Sequence, residues 1–120
     1  MGLFSSHEIS TDEVAEKFGA HLLPGEQILT AFKTIRDIAF LTDKRFVMID
    51  VQGLTGSKVE VLSVPYKAIT RFSVESAGTL DLDTDMKIWV SSKPDPYEIK
   101  ISRKSDPARI QQLLAERVLG

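Results

Sequence analysis

Hydrophobic and polar positions change their period twice along the chain, from helical to alternating and back to helical. The alternating part is organised around residues 38–50. There two runs rich in β-branched and aromatic residues, Ile38-Ala39-Phe40-Leu41 and Phe46-Val47-Met48-Ile49, flank the polar break Thr42-Asp43-Lys44-Arg45. Runs of this length around a turn signal predict a β-hairpin. Both runs are nearly continuous in apolar character, which places both strands close to a core.

A helix is predicted ahead of the hairpin, over residues 10–22. Ser10 is its N-cap and Glu13 completes a capping box, while Ile9 and Val14 stand at the positions of a hydrophobic staple. Val14, Phe18 and Leu22, with Ala15 beside them, form a narrow stripe suited to lying on a sheet. Pro24-Gly25 ends the helix and turns the chain. From about residue 26 to 36 the period is two: Ile28, Thr30, Phe32 and Thr34 alternate with Gln27, Leu29, Ala31 and Lys33 in a first strand. The hairpin supplies the second and third strands. A glycine-marked loop at Gly53 and Gly56 leads to a fourth, residues 58–64, which Pro65-Tyr66-Lys67 interrupts. Residues 69–75 make a fifth, with Phe72 and Val74 on one face, and 76–78 a turn.

Residues 80–90 read as a long sixth strand. Leu80, Leu82, Thr84, Met86, Ile88 and Val90 share one face, and Asp81, Asp83, Asp85, Lys87 and Trp89 the other. Residues 91–96, with two prolines, are expected as a loop, and Tyr97, Ile99 and Ile101 as the inner face of a seventh strand. A final helix over 106–119 starts at Asp106 as N-cap with Pro107 in the first turn. Its Ile110, Leu113, Leu114 and Val118 recur at helical spacing and predict a lid on the sheet.

Length and composition narrow the class. At 120 residues the chain is read as one domain, with a loose start over 1–8, the strands over about 26–103 and the closing helix after them. No cysteine is present, which removes thiol nucleophiles, disulfides and zinc–thiolate sites. That usage suits a reducing cytoplasm. The formal net charge of −2 argues against a general nucleic-acid binder, which is ordinarily strongly basic. No apolar run reaches the length of a membrane helix, and the opening lacks the regions of a signal peptide. Gly2 and Ser6 fit the N-myristoylation pattern, which is too permissive to carry an assignment.

Three pieces in order resemble the bacterial branch of the pleckstrin-homology (PH) superfold: Leu23-Pro24-Gly25-Glu26, the hairpin from Phe40 through Thr42-Asp43-Lys44-Arg45 to Val47, and Val64-Pro65-Tyr66-Lys67-Ala68-Ile69-Thr70-Arg71-Phe72. The resemblance spans about residues 8–119. It implies a mainly β (α+β) fold. Seven antiparallel strands would lie in two near-orthogonal sheets of a partly open barrel, with an N-terminal helix and a C-terminal amphipathic helix capping one end. It also implies ring-like or dome-like homo-oligomers, and it implies neither catalysis nor a cofactor.

The candidate chemistry is sparse. Asp81, Asp83 and Asp85 imitate the first half of an EF-hand loop, but Met86 stands where glycine is required and Ser92 where a bidentate glutamate is required. They read as a charged strand face. His7 and His21 have no second metal ligand at helical spacing. The nucleophile-elbow, phosphate-loop and dinucleotide fingerprints are absent. PH domains that hold phosphoinositides carry a basic pattern between their first two strands. Here Lys33 and Arg36 are present, Asp37 follows, and the pattern breaks. Lys44 and Arg45, and a second group of Lys100, Arg103 and Lys104 with Arg109, complete the candidate anion or lipid contacts. Trp89 on a charged face is the odd residue, and it marks either an oligomer interface with Asp81, Asp83 and Asp85 or a ring tucked under a neighbouring element. The expectation is a non-enzymatic cytoplasmic domain without cofactor, self-associating beyond a dimer and presenting a surface to protein partners. A peripheral lipid-headgroup module is the alternative.

Overall fold

The computed structural model describes residues 7–8, 10–33, 37–52, 58–75, 83–102 and 106–120. The glycine loop of Gly53 and Gly56, the turn at 76–78, Ile9 and the residues of the myristoylation pattern lie outside them.

The first helix, α1 (Thr11–Phe18), is capped as its sequence predicts. The Ser10 hydroxyl accepts from the backbone N–H of Asp12 and of Glu13. It is shorter than the expected 10–22, because its last turn tightens into a 3-10 turn over Gly19–His21. The strands form two antiparallel sheets. The larger has the order β1 (His7–Glu8), β2 (Ile28–Lys33), β3 (Ile38–Thr42), β4 (Arg45–Gln52), β5 (Lys58–Pro65). The smaller has the order β6 (Ile69–Val74), β7 (Asp83–Val90), β8 (Lys93–Ser102). A second helix, α2 (Pro107–Leu119), lies against β6 and the 3-10 turn Tyr66–Ala68.

Two cores explain the continuous apolar runs of the central hairpin. Every residue of β3 is buried. Ala39 and Leu41, with Phe32 and Phe46, face Met86, Ile88, Ile99 and Ile101 of the smaller sheet and Ile110 and Leu114 of α2. Ile38 and Phe40, with Ala31, Val47 and Ile49, face the opposite way, onto Val14 of α1. Since successive strand residues point to opposite faces, a strand covered on both sides has no polar phase. The narrow stripe of α1 is what covers the outer side, with Phe18 and Leu22 packed beside Val14.

Three local expectations need correction. Residues 7–8, read as part of a loose start, pair with the outer edge of β2, His7 opposite Lys33 and Glu8 opposite Phe32. A two-residue pairing leaves no periodic signal to find. On β2, Ile28 does not share a face with Thr30 and Phe32. The register slips between Ile28 and Thr30, so Ile28 packs with the α1 side while Phe32 enters the inter-sheet core. Residues 93–96, expected as loop, already belong to β8. Pro94, Asp95 and Pro96 bulge opposite Trp89, where the register shifts between Ile88 and Val90. Because β8 ends its sheet, prolines there interrupt no central ladder.

The closing helix keeps its predicted face: Ile110 and Leu114 are buried, with Leu113 and Val118 packed at the margin. Leu114 is fully covered. Leu114→Ala is therefore expected to cost about 2–5 kcal/mol, as for other buried leucine truncations, read from urea unfolding midpoints. A loss below about 0.5 kcal/mol, the range of neutral surface changes, means α2 contributes no core contact there.

Candidate functional site

The polar interactions of the chain concentrate at one buried carboxylate. Leu23-Pro24-Gly25-Glu26 is a tight turn closed by the Glu26 N–H on the Leu23 carbonyl at 3.0 Å. Gly25 sits at φ +80°, the left-handed value that the third residue of a Pro-Gly type II turn requires. The turn aims the Glu26 side chain inward, where it has no exposure. Its Oε1 accepts from the Leu23 N–H at 2.9 Å and from an Arg45 terminal nitrogen at 2.9 Å. Its Oε2 accepts from Arg45 Nε at 2.9 Å and from the Thr42 hydroxyl at 2.6 Å. The same hydroxyl oxygen accepts from the N–H of Lys44 and of Arg45, both at 3.0 Å, which shapes the two-residue hairpin tip. Tyr66 donates its phenol proton to the Thr42 carbonyl at 2.6 Å, and Asp43 exchanges two bonds with the Gln27 backbone.

This bidentate pairing holds the Glu26 carboxyl well below the ordinary carboxylate range, at about 2. The Arg45 guanidinium is correspondingly raised. Burial pushes the Tyr66 phenol above its usual value. The cluster is a structural lock rather than a reactive centre, since every group in it is turned toward another group of the chain.

The predicted site residues are dispersed. Arg45, counted with Lys44 as a candidate anion contact, has its donors committed to Glu26, Ser63 and His21, while Lys44 is exposed. Lys33 pairs with Ile38 at the start of β3, and Lys44 follows its end. The length of β3 separates them by roughly 15 Å. Lys100 bonds Asp85 at 2.8 Å across the strand pair β7–β8. Trp89 is half-buried on the outer face of the small sheet. The guanidinium of Arg71, its cross-strand neighbour, stands 4.5 Å over the ring. Of Asp83 only the strand position is described, and Asp81, Arg36, Arg103 and Lys104 lie outside the described residues. Among the described residues no cluster of carboxylates and imidazoles gathers around a metal-sized point.

Sequence reasoning missed a cleft. Two cavities of about 180 and 170 Å3 adjoin where β8 meets the inner face of the large sheet, and they share Asp37 and Met48. Phe32, Ala39 and Ile99 floor the first, and Leu62 and Tyr97 the second. No motif marks it, because it arises from strands far apart in the chain that fail to close.

Two open antiparallel sheets with a capping C-terminal helix define a PH-like fold. The bacterial PH domain family matches residues 1–118, and the chain belongs to that family. Uncharacterized protein YjqA of Bacillus subtilis (strain 168) is 45% identical over 114 residues, covering 94% of this chain and 91% of that protein. A crystal structure of a DUF1696-family protein with a pleckstrin-homology domain from Shewanella loihica PV-4 superposes with a TM-score of 0.83 at 41% identity, over 96% of this chain and 98% of that one. A PH-domain-containing protein from Exiguobacterium sibiricum 255-15, at 24% identity, shares the fold with a TM-score of 0.72 over 95% of this chain and 62% of its own.

The Glu26 shift predicts an acid-dependent contribution. A carboxyl lowered from 4.5 to about 2 stabilises the folded state above its unfolded pKa, by about 3 kcal/mol. That contribution is lost as pH falls from about 4.5 to about 2. The stability gap between wild type and Glu26→Gln, measured by urea unfolding at each pH, is expected to be largest near neutrality and to narrow through that window. A gap independent of pH means Glu26 is not held ionised by Arg45.

Proposed function

We propose that the chain is a non-catalytic cytoplasmic scaffold that self-associates beyond a dimer into a ring-like assembly and presents a surface to protein partners. The observation that carries this reading is Trp89. A large aromatic ring on the outer face of a charged strand, half-exposed with Arg71 laid over it, combines the two residue types most enriched at interface hot spots. Strand edges support it further. β5 and β8 end their sheets among the described residues, and β5 carries the exposed Val59. A contact between two different edges is heterologous and closes into a ring where the rotation permits. Asp85 finds its counter-charge in Lys100 of its own sheet, so the apolar ring and the edges carry the proposed contact more than the acidic row does.

Mass measurement by sedimentation or light scattering tests this at several concentrations and salt levels. Wild type is expected to be larger than a dimer at tens of micromolar, where an interface of ordinary size is populated. Trp89→Ala is expected to shift it toward smaller species. A monomeric wild type at that concentration overturns the proposal, and an oligomer indifferent to Trp89→Ala removes Trp89 from the interface. Sedimentation with anionic vesicles examines the lipid-headgroup alternative, for which Lys33, Lys44 and Lys100 are the described members of the candidate set that do not bond Glu26.

A further inference from the structure

On the outer face of the smaller sheet, Lys87 pairs with Glu98 and Lys100 with Asp85. Arg71 is different. It is exposed, its guanidinium is laid over the Trp89 ring at 4.5 Å, and it forms no ion pair among the described residues. The carboxylates around it are accounted for. Glu75 stands four residues further along the chain of β6, roughly 13 Å away, and has contacts of its own. Asp83 stands six residues from Trp89 along β7, roughly 20 Å away. Asp95, in the β8 bulge opposite Trp89, is exposed and does not pair with Arg71. A guanidinium stacked on a ring is oriented in advance, and its planar fork of donors matches a carboxylate.

Glu60 is the converse case. It is exposed on β5, which ends the larger sheet, and stands directly opposite Asp50 of β4. Like charges opposed across a strand pair are unfavourable. Asp50 takes a bond from the Gln52 amide at 2.9 Å. Glu60 forms no ion pair among the described residues, and Lys58, two positions away on the same face, does not pair with it. The exposed Val59 adjoins it in the chain. Other exposed carboxylates fit less well. Asp12 and Glu13 lie in the first turn of α1, where the helix dipole favours them. Glu98 and Glu116 are paired, and Glu16 lies on a helix rather than a strand edge. Asp95 borders the patch of Arg71 itself, where pairing between copies is reciprocal and stops at a dimer.

The β5 edge thus offers an apolar residue beside a free carboxylate, and the outer face of β6 and β7 an aromatic ring beside a free guanidinium. Within one chain Arg71 and Glu60 form no ion pair. We propose that Arg71 of one copy binds the Glu60 carboxylate of the next, with Val59 set against Trp89. This rests on the reading of the chain as self-associating through Trp89, and it names the groups that meet there. The contact joins two different surfaces, so each copy uses one toward either neighbour.

Sedimentation velocity of the full chain over a concentration series tests this by charge reversal. Arg71→Glu and Glu60→Arg each set like charges in the contact, and each is expected to raise the midpoint concentration of assembly about tenfold or more. The double variant restores opposite charges and is expected to return within about threefold of wild type. Glu16→Arg, the same charge change on α1, is expected to alter the midpoint less than about twofold. Urea unfolding checks that each variant is folded. Should a reversal fail to fold, Arg71→Gln, Glu60→Gln and their double replace the set, and the second substitution is then expected to add no weakening to the first. Three results overturn the proposal: wild-type assembly of either single variant, a double variant as weak as the weaker single one, or equal weakening by Glu16→Arg. If Trp89→Ala weakens assembly and the reversals do not, this pairing falls while the ring reading stands. A monomeric wild type overturns both.

Discussion

A carboxylate removed from water must be given partners, and Glu26 receives four hydrogen bonds from three residues, Leu23 of its own turn and Thr42 and Arg45 of the β3–β4 hairpin. Desolvation works against its charge, and the bidentate guanidinium of Arg45 outweighs it. The arrangement is demanding in both directions. Arg45 needs the hairpin tip formed by Thr42, the Thr42 hydroxyl proton has Glu26 at 2.6 Å and the Arg45 carbonyl at 3.1 Å as acceptors, and Glu26 reaches them because the Pro24-Gly25 turn aims it inward. Tyr66 adds the start of the smaller sheet through the Thr42 carbonyl. The entry to β2, the β3–β4 tip and the crossover from β5 to β6 are thereby fixed against one another. Removing one member strands the others as buried polar groups, which costs more than the bonds contribute.

Around that lock the large sheet is used on both faces. One face joins the smaller sheet and α2, and the other takes α1. Among the described residues, the core covers the inner face of the smaller sheet. Its outer face is left to ion pairs and to Arg71 over Trp89, and its last strand stands away from the large sheet far enough to leave a cleft. The proposed contact surface of the smaller sheet therefore lies apart from the lock, which stays internal. PH-like folds serve many roles, so such surfaces and not the architecture decide what this chain contacts.

Charge placement separates the candidate contacts from one another. Basic residues that look grouped in sequence, such as Lys44 and Arg45, part company in space, one exposed and the other bound to Glu26. Lys100 is drawn to Asp85, whereas the cleft beside it gathers carboxylates from β4, β5 and β8.

The sequence by itself determined the element order, the caps at Ser10 and Asp106, the tight turn at Gly25, and the buried faces of β7 and α2. These depend on local propensity and on a period of 2 or 3.6, which a single stretch of chain contains. It also contained the three pieces that mark the family, without their physical reason. Glu26, Thr42, Arg45 and Tyr66 lie up to forty positions apart, and only folding brings them within hydrogen-bond distance. Tertiary structure alone decided the slip that turns Ile28 from Phe32, the bulge that admits Pro94 and Pro96 to an edge strand, and the short pairing of His7–Glu8. It alone decided the cleft, whose walls come from five strands. Register and sheet closure depend on which residues end up opposite one another, and a one-residue shift reverses every face without altering the composition of the strand.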